Sequence, residues 1–179
     1  MAPTRPELEA ECWAFALAIY ARPGVAEAGL ILQNEAGVDV MLLLTTAFAA
    51  VKHRLLLTPD EIRALDEASR PWREQIVWPL RTIRIELKAG PQPAPSGETE
   101  QFRSKVKALE LAAERLENQL LVACLPPRAP EKDIVRPEQL RAVLKNVISF
   151  FAERQGAAPK PVLASSIDTI VEAAIQDAS

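Results

Sequence analysis

Two charge clusters and a lone histidine hold most of the side chains in this sequence whose types and spacing suit chemistry. The acidic cluster is Glu110, Glu114 and Glu117, spaced by four and three residues, which puts three carboxylates on one side of a helix. Either of the first two has the chemistry of a general base, because catalytic carboxylates assemble in space rather than in sequence. The plainer reading is a solvated or partner-facing helix side. His53 follows Lys52 and precedes Arg54 at the end of an apolar run. A protonated imidazole there complements the C-terminal end of a helix dipole. No Ser, Cys or carboxylate stands at a local spacing that completes a nucleophile and base pair with it. Zinc spacing, paired Asp-rich or Glu-x-x-His motifs and phosphate-cradling glycine loops are all missing, so no metal, no cofactor and no catalytic residue is assigned. The sequence points away from an enzyme.

The basic cluster lies between Arg70 and Lys88, where five basic residues against two acidic ones give a local charge of +3 in a chain of net charge -3. Arg73, Arg81, Arg84 and Lys88 fall near one helical face, with Trp72 and Trp78 beside them. Such arginines either pair with acidic residues of neighbouring helices or form a docking surface for an acidic partner or a membrane headgroup. A peripheral membrane contact is the less favoured of the docking options. A second pattern opposes the helix dipole: Arg103, Lys105 and Lys107 come early in a helix that carries Glu110, Glu114 and Glu117 later. An antiparallel second copy would set the basic turns containing Arg103 and Lys107 against the acidic turns, predicting a homodimer. Pairing with Arg70 to Lys88 inside one chain is the competing explanation.

Composition limits the partners. The 21 basic and 24 acidic side chains supply no field to collect phosphate backbones, so nucleic acid is not expected. Cys12 and Cys124 stand alone in apolar helical contexts and read as buried free thiols. The opening MAPTRPELEAE lacks the pattern of a secretory signal, which makes cytoplasmic residence the expectation.

The elements that must position these groups are helices. Val40 to Val51, VMLLLTTAFAAV, is apolar on every side and too short to cross a bilayer, so it predicts a buried central helix capped by Asp39. Thr4 with Glu7, and Thr58 with Glu61, form capping boxes. Gly37 predicts a left-handed helix stop. Pro71 is expected to close one short helix and open the next, and Pro79 to kink that next helix near Gln75 to Trp78. Residues 89–99 read as a Pro-rich loop. Beyond it, Phe102, Val106, Leu109, Ala113, Leu116, Leu120 and Ala123 predict the buried seam of a long packed helix. Two further amphipathic helices follow Arg136. No strand is expected. The fold class is all-α: a bundle domain over 1–126 built around the central helix, and a C-terminal two-helix extension over 127–179 packing on the bundle or on a partner.

The run Cys12-Trp13-Ala14-Phe15-Ala16-Leu17-Ala18-Ile19-Tyr20-Ala21-Arg22-Pro23-Gly24-Val25, with Leu32-Gln33, Gly37-Val38-Asp39-Val40 and Leu42-Leu43-Leu44, resembles a family of small bacterial proteins known only as a domain of unknown function. Trp78-Pro79-Leu80-Arg81 with Arg84, and Glu110-Leu111 with Ala113-Glu114, are similar to its second half. The resemblance implies a short all-helical protein and carries no catalytic residue. Met41 stands where that family favours a polar residue, and Ala47-Phe48 where it favours Trp, which turns attention to Met41, Thr45 and Phe48. Two functions are expected. The first is a helical adaptor or assembly factor that binds a protein partner or itself. The second is a bundle that holds an apolar ligand, a lipid or isoprenoid, in a pocket of Trp13, Met41, Thr45 and Phe48 with Trp72 and Trp78 close by.

Overall fold

The computed structural model describes residues 3–156 and 160–178; the first two residues of the N-terminal segment lie outside that range. The described residues form helices and no strand: α1 (Arg5–Tyr20), α2 (Val25–Ala36), α3 (Val40–His53), α4 (Pro59–Trp72), a π-helical turn (Arg73–Val77), α5 (Trp78–Glu86), α6 (Gly97–Ala123), α7 (Pro137–Gln155) and α8 (Pro161–Ala178). The all-α expectation holds.

Helix α3 is surrounded by α1, α6, α7 and α8, and every residue from Met41 to Ala50 is buried. Its polar atoms are answered locally. Asp39 Oδ1 accepts from the backbone N–H groups of Met41 (2.9 Å) and Leu42 (3.3 Å). The Thr46 hydroxyl donates to the Leu42 carbonyl at 2.8 Å, and the Cys12 thiol lies 3.8 Å from the Thr45 hydroxyl. Burial pushes that thiol up to about 12, so Cys12 is an inert core residue. Cys124, by contrast, is exposed: it caps the C-terminus of α6, where the chain leaves the core. His53 ends α3 as expected, its ring set edge-on to Phe48 with centroids 4.9 Å apart and its Nε2 3.4 Å from a Glu11 oxygen.

Both predicted capping boxes form, and Gly37 closes α2 at φ 63°. Three expectations need correcting. Pro71 does not divide two helices; α4 runs through it to Trp72 and continues into α5. The break comes at the π turn, where the Trp78 N–H reaches back five residues to the Arg73 carbonyl. The extra residue lies just ahead of Pro79, which brings no N–H of its own, so the predicted disturbance takes the form of a π-bulge. Helix α6 begins at Gly97, inside the stretch assigned to a loop, with Ser96 and Thr99 as its capping box. On α6, finally, the apolar seam is only partly buried. Val106 and Ala113 are covered, whereas Phe102, Leu109, Leu116 and Leu120 are exposed and Glu110 and Glu117 are buried in their place.

Helices α7 and α8 supply Leu140, Leu144, Val147, Phe151, Ile167 and Ile170 to the same hydrophobic core as α1 to α3. Their apolar stripes therefore face the bundle. Among the described residues no single helix is long and apolar enough to cross a membrane. The α1–α2 pair, bent by 98°, is together long and apolar enough, but it turns Cys12, Phe15, Ile19, Val25 and Leu32 into the core.

Candidate functional site

The end of α4 buries a cation in the bundle. Arg73 sits at the first position of the π turn and is 2% exposed. An unpaired guanidinium at that depth would cost several kcal/mol, so its partners decide whether the fold tolerates it. Its Nη1 donates to Asp39 Oδ2 at 2.6 Å and its Nη2 to Asp66 Oδ1 at 2.5 Å. Its planar group lies between the rings of Trp78 and Phe151, 5.6 and 5.5 Å from their centroids. Arg154 of α7 takes the second oxygen of Asp66 at 2.5 Å. Asp39 thus does two jobs, capping the central helix with one oxygen and holding Arg73 with the other.

Glu117 of α6 lies against this cluster, with Oε1 4.0 Å from Arg73 Nη1 and its side chain 1% exposed. Burial first, and then the neighbouring Asp39 charge, push its carboxyl up to about 10, against a smaller opposing pull from Arg73. Glu117 is accordingly a neutral acid at physiological pH. That leaves Arg73, Arg154 and, at 3.9 Å, the partly exposed Arg70 facing the two aspartates Asp39 and Asp66.

A second layer of charge joins α5 to α6. Arg81 donates to Glu110 at 2.9 Å, to Glu114 at 2.6 Å and to Gln33 of α2 at 2.6 Å. Arg84 makes two further bonds to Glu110. Burial raises the Glu110 carboxyl, but the hydrogen bonds from Arg84 and Arg81 outweigh it and hold the group below the usual carboxylate range. Glu114 has the opposite balance, raised by burial more than the Arg81 charge lowers it. Of the two carboxylates considered as general bases, Glu110 is locked as an acceptor, and Glu114 is the better suited to exchange a proton.

Above these layers α1, α2, the start of α3, α5 and α6 leave a cleft of about 630 Å³. Trp13, Leu17, Tyr20, Leu30, Met41, Leu44, Trp78, Ile85 and Leu111 supply its apolar lining, and Asp39, Arg73, Arg81, Arg84, Glu110, Glu114 and Glu117 its polar lining. Lys88 and Lys107 also line it, and neither forms an ion pair among the described residues.

The structure brings together part of each predicted set. Trp13 and Met41 line the cleft, whereas Thr45 and Phe48 are fully buried in the core and do not. Trp78 lines it, but Trp72 is a structural residue whose Nε1 donates to the Ala113 carbonyl at 3.0 Å. Of the arginine face, Arg73 is inside the fold, Arg81 and Arg84 pair with α6, and Lys88 lines the cleft. Glu110, Glu114 and Glu117, assigned to a second copy of the chain, are engaged within this one, and Arg103 pairs with Glu100 of its own helix at 2.8 Å. The competing explanation, pairing with Arg70 to Lys88 inside one chain, is the one the geometry follows.

Sequence reasoning placed Asp39 only as a helix cap and missed Asp66, Gln33 and Arg154. Asp66 had a signal: it shares a helix face with Ile62, Leu65 and Ser69 and stands seven residues before Arg73. Among the described residues no group of three His, Cys, Asp or Glu side chains is placed to hold a metal ion.

Residues 11–121 match a family model described as Protein of unknown function (DUF2390). The chain belongs to this family. No curated protein and no solved structure matches it. Every residue lining the cleft falls inside the DUF2390 span, while Phe151 and Arg154, which complete the surroundings of Arg73, fall after it.

Proposed function

We propose that the cleft is a binding site for a small amphipathic anion, an apolar body carrying an acidic head, of the lipid or isoprenoid kind. The observation that carries this reading is the cleft itself, whose 630 Å³ lie within the usual range for small-ligand sites of roughly 300–1,000 Å³. Its wall chemistry supports an amphipathic occupant. Trp13, Leu17, Leu30, Met41, Leu44 and Trp78 offer apolar surface, and most of the charged groups lie on or beside α5 and α6, with Gln33 and Asn34 of α2 adding neutral polar ones. The sign of the head follows from the charges. With Glu117 neutral, Arg73, Arg81, Arg84, Lys88 and Lys107 outnumber Asp39, Glu110 and Glu114 around the cleft, and the excess rests on Lys88 and Lys107.

The adaptor reading drew on a free arginine face; once Arg73, Arg81 and Arg84 are used inside the fold, the cleft has the stronger support. Native mass spectrometry of protein purified without detergent tests the proposal. The expected spectrum shows a small-molecule increment that is lost on denaturation, and saturable uptake of decanoate by any empty fraction. A spectrum of polypeptide alone that takes up no decanoate contradicts it.

A further inference from the structure

The side of the α5–α6 hairpin that faces away from the cleft carries a row of exposed apolar side chains. Ile76 and Ile83 stand seven residues apart at 37% and 43% exposure. Phe102, Leu109 and Leu116 repeat at the same spacing on α6 at 55%, 59% and 47%, with Leu120 at 38% beyond them. The ion pairs of Arg81 with Glu114 and of Arg84 with Glu110 run antiparallel and fix the register of the hairpin to within a turn. That register sets Ile83 within a turn of Leu109 and Ile76 within a turn of Leu116. A turn of 100° per residue puts these side chains opposite Trp78, Arg81 and Ile85 on α5, and away from Lys107, Leu111 and Glu114 on α6, all of which line the cleft. The row is therefore a separate surface with its own chemistry. Helix α5 has no buried residue, and among the described residues its helix packing beyond the π turn is against α6 alone, so no other described helix covers its part of the row.

We infer that this face is the contact surface of a two-fold dimer of the chain. At about 150–200 Å² for a large apolar side chain, the six exposed fractions leave roughly 500 Å² of apolar surface on one protomer. A stable interface takes about 800 Å² from each partner, of which about two thirds is apolar at a homodimer contact. The row supplies that share. Two-fold symmetry needs a patch that complements itself, and aliphatic side chains at heptad spacing on two antiparallel helices do so by stacking hairpin on hairpin into a four-helix arrangement. The contact is apolar and independent of the charges on Glu110, Glu114 and Glu117.

Sedimentation velocity across the micromolar range tests this. The wild-type chain is expected to sediment at the mass of two chains. Leu109→Glu with Leu116→Glu on α6, and separately Ile83→Glu on α5, are expected to weaken the dimer by about tenfold or more while leaving the circular dichroism spectrum unchanged, since these side chains are exposed. Lys107→Glu, on the cleft side, is expected to leave the mass unchanged. A one-chain mass for the wild type at high micromolar concentration overturns the inference and leaves the row to a different partner. A two-chain mass that survives both the α6 pair and Ile83→Glu overturns it as well, by placing the dimer contact elsewhere.

Discussion

Arg73→Met is expected to lower the free energy of unfolding by about 3–5 kcal/mol, the cost of breaking a buried ion pair by removing one partner. Methionine fills much of the volume between Trp78 and Phe151, so the loss is chiefly electrostatic. It strands the Asp39 and Asp66 carboxylates at the centre of the bundle, leaving Asp39 to the backbone N–H groups of Met41 and Leu42 and Asp66 to Arg154 and, at 3.9 Å, Arg70. In a chain of this size the change corresponds to a fall in melting temperature on the order of 10 °C, which thermal unfolding followed by circular dichroism reads directly. A second substitution separates the charge effect from simple loss of packing. Asparagine caps a helix about as well as aspartate, so adding Asp39→Asn to Arg73→Met removes one of the two stranded charges and retains the cap on α3. The double variant is expected to recover part of the lost stability. If it is less stable than Arg73→Met alone, the ion pair is not what makes the arginine necessary.

Glu117→Gln is expected to stabilise the protein, and by more as the pH rises. The sign follows from proton binding. An unfolded chain releases the Glu117 proton near the ordinary value of 4.5, whereas the folded chain holds it up to about 10. Between those limits the folded state carries the extra proton, so this group's contribution to stability falls as pH rises, on the order of 1.4 kcal/mol for each unit. Glutamine is neutral at every pH and nearly the same shape, which removes that slope. Denaturant unfolding of both chains at pH 5 and pH 8 checks it: the stability gained by the glutamine variant should be larger at pH 8. Equal differences at the two values would mean that Glu117 is ionised in the fold.

The helices were legible because their signals are local. Asp39 before an apolar run and Lys52-His53 after it define α3, and Thr58-Pro59-Asp60-Glu61 starts α4, without reference to any other part of the chain. Pro79 announced a disturbance, although one sequence cannot distinguish a kink from a π-bulge. The failures share one cause. A heptad of leucines on α6 reads as a buried seam, yet Leu109 and Leu116 are exposed and Glu110 and Glu117 are buried. Burying a glutamate is tolerable only if an arginine meets it or its proton stays on. Arg81 and Arg84 lie on a different helix, and Asp39, the neighbour of Glu117, stands 78 residues earlier at the start of α3. That pairing exists only in three dimensions. The same reason hid the cleft. Trp13 and Met41 read as pocket residues in the sequence, but Leu17 and Tyr20 of α1, Leu30 of α2 and Leu111 of α6 look like ordinary core positions until α5 is seen to pack on α6 through Arg81 and Arg84.

Calorimetric titration with decanoate, set beside decanol, tests the cleft most directly, because the two ligands share an apolar chain and differ in the charge of the head. The expected result is saturable binding of decanoate at one site per chain, weaker binding of decanol, and loss of the difference in a Lys88→Glu, Lys107→Glu variant that keeps its fold. Decanoate that fails to bind, or that binds no better than decanol to the wild-type chain, would contradict it.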